Sequence, residues 1–197
     1  MSRWSPVLPV LGLFALLGAC GGGSGVSRGT PEAAVRAAPD RTFGASSAQV
    51  EAAAPDASSA GTVRFAGPAP ELQPTGPGAG TNYPELRDPL AMVDLVRGAL
   101  EVVSYGGTAV RDASTFRYET VIDVEAAVRA TPEARKASVR ATADRLGSPA
   151  FYADVWVDTD GRIRRVQVPV EKTTKRPGNR DRSKPRLITV DFFAFEP

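Results

Sequence analysis

The stretch Phe151-Tyr152-Ala153-Asp154-Val155-Trp156-Val157-Asp158-Thr159-Asp160-Gly161-Arg162-Ile163-Arg164-Arg165-Val166-Gln167-Val168-Pro169-Val170 decides the fold. It reads as two strands around a turn at Asp158-Thr159-Asp160-Gly161. Asp-Gly suits a two-residue hairpin loop, because both central positions of a type I′ turn need positive φ. With Asp160-Gly161 as the loop, Val155 faces Val166, Ala153 faces Val168 and Phe151 faces Val170, while Val157 faces Arg164. The opposite face pairs Asp154 with Gln167, Trp156 with Arg165 and Asp158 with Ile163. A slip by one residue would mix an apolar face with a polar one, so pattern and turn agree on the register.

Working outward, Leu187 to Phe195 alternates as a last strand, with Ile188, Val190 and Phe192 toward the core. Upstream, Phe116 to Asp123 alternates too, with Phe116, Tyr118 and Ile122 on one face. Glu125–Ala130 and Pro132–Leu146 read as two helices, the second stopped by Gly147 and burying Ala134, Ala137, Ala141 and Leu146. Asp88-Pro89 opens an earlier helix, and Leu90, Val93, Val96, Leu100 and Val103 continue it at helical spacing to Gly106-Gly107. The order helix, strand, helix, three strands implies an α+β fold, an antiparallel sheet with helices on one face.

The first half reads differently. Pro31 to Ala38 predicts one short helix capped by Thr30, and Val50 and Thr62–Phe65 predict short strands. Runs such as Ala66-Gly67-Pro68-Ala69-Pro70 and Pro74-Thr75-Gly76-Pro77-Gly78 read as linker. We divide the chain into residues 1–19 as leader, 20–30 as tether, 31–87 as a short, partly ordered Pro/Gly-rich region, and 88–197 as the α+β domain.

Cys20 is the only cysteine, so no internal disulfide forms. It follows an apolar run ending Leu17-Gly18-Ala19-Cys20, with Arg3 near the start and Gly21-Gly22-Gly23-Ser24-Gly25 after it. The run Val7–Leu17 is too short to span a bilayer. This arrangement resembles a bacterial lipoprotein signal peptide with its lipobox. The resemblance implies cleavage before Cys20, diacylation of its thiol with palmitate-class chains, and a lipid-anchored position on the outer side of the cell membrane.

Composition excludes much chemistry. The 197 residues contain no histidine, and the net charge is +2. The usual proton shuttle and the commonest zinc ligand are therefore missing. No Gly-x-Ser-x-Gly elbow is present, and Asp158 and Asp160 lack the later ligands of a calcium loop. Asp123 and Glu125 pair two carboxylates without a pocket signal. We expect no enzyme activity, cofactor or metal. The Ala-, Arg-, Gly- and Pro-rich usage points to a GC-rich bacterial genome.

The runs Asp88-Pro89-Leu90 through Gly106, Thr115-Phe116-Arg117-Tyr118 and Ala153 through Val166 resemble the C-terminal half of actinobacterial lipoproteins of the LppX/LprG type, relatives of LolA-like carriers. The resemblance spans about Arg87 to Phe195 and implies a half-open β-barrel whose helix-covered concave face holds acyl chains. Region 30–83 is shorter and poorer in large apolar residues than that family's first half.

Two functions follow. In one, Phe116, Tyr118, Ile122, Phe151, Val155, Val157, Val166 and Val168 line a cavity for a lipid or other apolar ligand. In the other, those residues are a filled core, and the domain is a non-catalytic anchored interaction module of the cell envelope. Lys175, Arg176, Arg180 and Arg182 lie in a basic stretch that either touches anionic headgroups or is a solvated loop. It lacks interleaved aromatics, which argues against nucleic acid. The expected partners are the membrane through Cys20 and a lipid ligand, and the expected state is a monomer.

Overall fold

The computed structural model describes residues 30–67, 70–79, 83–170 and 186–197. Cys20, Lys175, Arg176, Arg180 and Arg182 lie outside the described residues.

Seven strands form one antiparallel sheet that does not close: β1 (Ser47–Ala53), β2 (Ser58–Arg64), β3 (Ala99–Val110), β4 (Ala113–Asp123), β5 (Ala150–Asp158), β6 (Ile163–Pro169) and β7 (Leu187–Glu196). The order across the sheet is β2-β1-β7-β6-β5-β4-β3, so β2 and β3 are the edges. Among the described residues the five helices are α1 (Pro31–Phe43), α2 (Pro84–Arg87), α3 (Leu90–Leu95), α4 (Val124–Ala130) and α5 (Glu133–Leu146). A 3-10 turn, Val96–Gly98, links α3 to β3. The expected α+β architecture is present, with helices over one face of the sheet.

The hairpin keeps the expected register in its body: Asp154 pairs with Gln167, Val155 with Val166 and Trp156 with Arg165. A bulge then puts Ile163, not Arg164, opposite Val157. The cause is the Asp158 carboxylate, which accepts from Asp160 N at 3.0 Å and Arg162 N at 2.8 Å and widens the turn. Only Gly161 of the loop takes positive φ, at 81°. The shift delivers Ile163 to the core and returns Arg164 to Asp158, at 2.6 Å.

Three further expectations change. The helix from Leu90 ends at Leu95, and the chain becomes β3. Gly98 makes the switch possible. A Cβ there would collide with the Asp123 carbonyl and the first turn of α4, so only glycine lets the chain pass this close. Residues 31–87 contribute α1, β1 and β2, and β1 pairs with β7 from Ser47 to Ala53. The small side chains Ala48, Val50, Ala52 and Val63 put these strands into the same core. Finally, α5 buries Val139, Thr142, Ala143 and Leu146, while Ala134, Ala137 and Ala141 are exposed. It packs on α2, α3 and α4 rather than on the sheet. Its rotation is fixed by polar contacts of Arg135, Ser138 and Arg145 rather than by its alanine stripe.

The core lies between sheet and helices and includes Val35, Leu86, Val93, Val139, Val155, Ile163, Ile188, Val190 and Phe192, all without solvent exposure.

Candidate functional site

The eight expected cavity residues share the helix side of the sheet but differ in burial. Ile122, Val155, Val157, Val166 and Val168 retain between 0% and 4% exposure. A side chain bordering a water-sized void keeps accessible surface, so these five are closed in by neighbours. Phe151 is half-buried at the other end of β5, packed against the core.

Phe116 and Tyr118 are different. Phe116 is 40% exposed although it faces the helix side, opposite Val157. Across the β3–β4 ladder it meets Gly107, and Tyr118 meets Ser104. A Cβ built on Gly106 or Gly107 would find nothing within 4 Å. The Phe116 ring is therefore left uncovered on the helix side at this end of β3 and β4, with the half-buried Tyr118 two residues along the strand. Burial raises the Tyr118 hydroxyl above its ordinary pKa, so it stays protonated as a neutral donor. Gly106-Gly107 was the available sequence signal, since paired glycines inside a strand mark missing bulk. A helix-stop reading concealed it.

The helical layer is tied by buried acids, of which only Asp88 stood out in the sequence, as the opener of the helix at Leu90. Asp94 has no solvent exposure and accepts from Arg97 Nε at 2.9 Å and from Arg135 Nε at 2.7 Å. Arg97 also reaches Asp40 at 2.7 Å. Asp88 accepts from Leu90 N at 3.1 Å and from the Ser138 hydroxyl of α5. Glu85 Oε2 accepts from Arg145 Nε at 3.0 Å. Its Oε1 lies 2.8 Å from the same nitrogen but off the N–H direction. Oε1, Arg145 Nη2 and Thr142 Oγ1 are thus buried without a hydrogen-bond partner. Burial raises the carboxyl pKa of both Glu85 and Asp88. Asp94 stands in the apolar run Met92-Val93-Asp94-Leu95, the one hint the sequence offered.

The helix-free face carries arginines paired with both acids and rings. Arg117 bonds Asp154 at 2.9 Å and lies over Tyr105 and Trp156. Arg165 bonds Asp191 at 2.6 Å and lies over Trp156, as the hairpin register implied. Arg111, from the β3–β4 turn, reaches Glu51 and sits 3.9 Å from the Phe193 ring centre. These contacts are internal and brace the face.

A depression lined by Asp112, Ser114, Asp158, Asp160 and Arg164 is polar. The Asp158 carboxylate there is committed to its turn and to Arg164. Asp123 caps α4 by accepting from Ala126 N at 2.7 Å, which is a structural task. Among the described residues no group of three or more acidic or cysteine side chains could hold a metal, and no helix is long and apolar enough to cross a membrane.

These features define a curved, open antiparallel sheet with a helical layer on one face and an exposed Phe116 ring at one end. Among solved structures the chain is similar to the Mycobacterium tuberculosis lipoprotein LppX, with 12% identity, TM-score 0.47, and coverage of 84% of this chain and 94% of that one. It is also similar to LprF from Mycobacterium bovis, with 11% identity, TM-score 0.44, and coverage of 84% and 92%. No family model matches the sequence, and no curated protein matches it.

Proposed function

We propose that the protein is an extracytoplasmic lipoprotein, anchored through acylated Cys20, that binds an apolar, acyl-bearing ligand at the uncovered Phe116 ring. The observation that carries this reading is the uncovered apolar surface on the helix side, where Phe116 stands 40% exposed beside the empty flank of Gly106 and Gly107. An acyl chain laid there covers ring surface that water otherwise wets, worth about 25 cal/mol per Å². Tyr118 offers a hydroxyl for a polar head. Ile122, Phe151, Val155, Val157, Val166 and Val168 lie deeper and would meet a ligand only if the helical layer moved. Lys175, Arg176, Arg180 and Arg182 supply positive charge for anionic headgroups.

Native mass spectrometry after gentle extraction from the natural host is the test. The expected result is a bound lipid mass that Phe116→Asp removes while leaving the unfolding midpoint in place. A ligand-free wild-type protein refutes ligand binding. A second reading, an anchored interaction module, is favoured by the closure of Val155, Val166 and Val168 in the core. Under it, envelope partners are recovered equally with wild type and Phe116→Asp.

A further inference from the structure

Strand β3 is a bare edge. Among the described residues no strand lies beyond it. Its twelve residues, Ala99–Val110, hold no lysine, arginine or proline, and Glu101 is their one charge. Lysine, proline and added charge are the usual guards of such an edge. The other edge, β2, is guarded by its own chain. Ser58 and Thr75 exchange backbone hydrogen bonds of 3.0 and 2.7 Å, and Leu72 packs against Gly61. Among the described residues the exposed large apolar side chains are Val103 at 47%, Tyr105 at 52% and Phe116 at 40%, all on the β3–β4 hairpin. Val103, opposite Glu119, lies on the helix-free face. Tyr105 shares that face, with its hydroxyl on Glu119 at 3.0 Å and its ring beside Arg117. Phe116 lies on the helix side, opposite Gly107.

Two bulges interrupt β3, one between Leu100 and Val103 and one between Ser104 and Gly107. Each adds a residue against β4 and so shifts the alternation of faces. They flank Ser104, and the pattern of faces reads the same in both directions from it. Val103 and Tyr105 share the helix-free face, and Leu100 and Thr108 share it too.

From this symmetry we propose that β3 pairs antiparallel with β3 of a second copy of this chain, about a two-fold axis at Ser104. Ser104 then faces its own counterpart. Val103 faces Tyr105 of the second copy, and Tyr105 faces its Val103. An aromatic ring against a β-branched side chain is a favourable cross-strand pair. Val102 of the second copy arrives opposite Gly106, whose flank is bare, near the uncovered Phe116. One register thus brings apolar side chains to all three exposed ones. The two Glu101 carboxylates stay about 20 Å apart along the strands, beyond the reach of screened repulsion. The joined sheet ends in a guarded β2 on both sides, so the contact closes as a two-fold dimer and leaves no edge to extend it. The pairing stands on β3 alone and rests on neither the anchor nor the ligand. It replaces the monomer expected from the sequence.

Cys20 is the only cysteine, so in a Cys20→Ser chain an introduced cysteine is the sole thiol. Ser104→Cys, at the axis, sets two thiols on Cα atoms about 4.5–5.5 Å apart, within disulfide reach. Mild oxidation is expected to give a covalent dimer on a non-reducing gel. Thr108→Cys is exposed on the same strand but would lie about 27 Å from its counterpart, so it should stay monomeric. Without oxidant, sedimentation velocity of the Cys20→Ser chain should show a dimer that grows with concentration. Val103→Lys should abolish it and leave the unfolding midpoint in place. A Ser104→Cys chain that does not link, or a Thr108→Cys chain that links as readily, overturns the pairing. So does a chain that sediments as a monomer at every concentration, or a dimer that Val103→Lys leaves intact.

Discussion

Removing the Asp94 carboxylate should cost more than removing any exposed acid, and the amount follows from its surroundings. Asp94 has no exposure and accepts three N–H bonds, from Arg97 Nε at 2.9 Å, Arg135 Nε at 2.7 Å and Arg135 Nη2 at 3.2 Å. Asp94→Ala strands two guanidinium groups at the junction of α1, α3 and α5. Breaking a buried pair by deleting one partner costs about 3–5 kcal/mol. The lower end applies, because Arg97 keeps Asp40 at 2.7 Å and Arg135 keeps the Phe43 ring at 4.0 Å. Both arginines also reach water at their edges, at 11% and 22% side-chain exposure. About 3 kcal/mol, with a urea slope of about 2 kcal/mol per M, lowers the unfolding midpoint by about 1.5 M. The control is Asp40→Ala, which removes an acid 74% exposed from the same Arg97. Its expected cost is below about 1 kcal/mol. Equal midpoint shifts for the two variants would refute the view that Asp94 is the hub of the helical layer.

Other outcomes follow from the same contacts. Gly98→Ala should fail to give soluble protein or should lose about 3 kcal/mol, because its methyl displaces the start of α4; thermal unfolding of purified protein checks this. Phe192→Ala, at a core position without exposure, should cost about 3–5 kcal/mol by urea titration. Burial raises the Glu85 carboxyl above its ordinary 4.5, so the folded state holds that proton more tightly than the unfolded chain. Its contribution is fully present below 4.5 and is lost as pH rises through the raised value, and Asp88 acts in the same direction. Glu85→Gln should therefore gain on wild type as pH rises from there toward neutrality, and parallel pH profiles of the urea midpoint would contradict this. Cys20→Ser should move the protein from the membrane fraction to the soluble extracytoplasmic fraction, read by immunoblot.

The sequence made the β5–β6 hairpin legible because two signals coincide there, an alternating pattern and a turn dipeptide. It also located β4, β7, α4 and the span of α5. Strand β3 escaped because Leu90, Val93, Val96, Leu100 and Val103 satisfy helical spacing across what is a helix and then an edge strand. Most β3 side chains between Glu101 and Ala109 are exposed, so no inward–outward alternation marks the strand. The helix ends where Gly98 passes beneath α4, a tertiary constraint that no local pattern records. Strands β1 and β2 were faint for another reason. Their buried face is Ala48, Val50, Ala52 and Val63, and alanine burial scores little on any apolar pattern. The exposure of the Phe116 ring was not legible, because it depends on where the helices stop.

The same scarcity of large apolar residues explains the chemistry of the cations. Among the described residues Lys136 is the one lysine, and every other basic side chain is arginine. Small alanines leave shallow contacts, and a planar guanidinium can fill them on both sides, bonding an acid in its plane while stacking on a ring. Arg135 does so with Asp94 and Phe43, Arg117 with Asp154 and Trp156, and Arg164 with Asp158 and Phe195. A lysine has no plane to offer the ring, so Arg135→Lys should keep the charge and lose the packing. Stability held by such pairs responds to salt less than an exposed ion pair does, because each guanidinium is partly withdrawn from solvent. The remaining lysines, Lys172, Lys175 and Lys184, all fall in the β6–β7 connection.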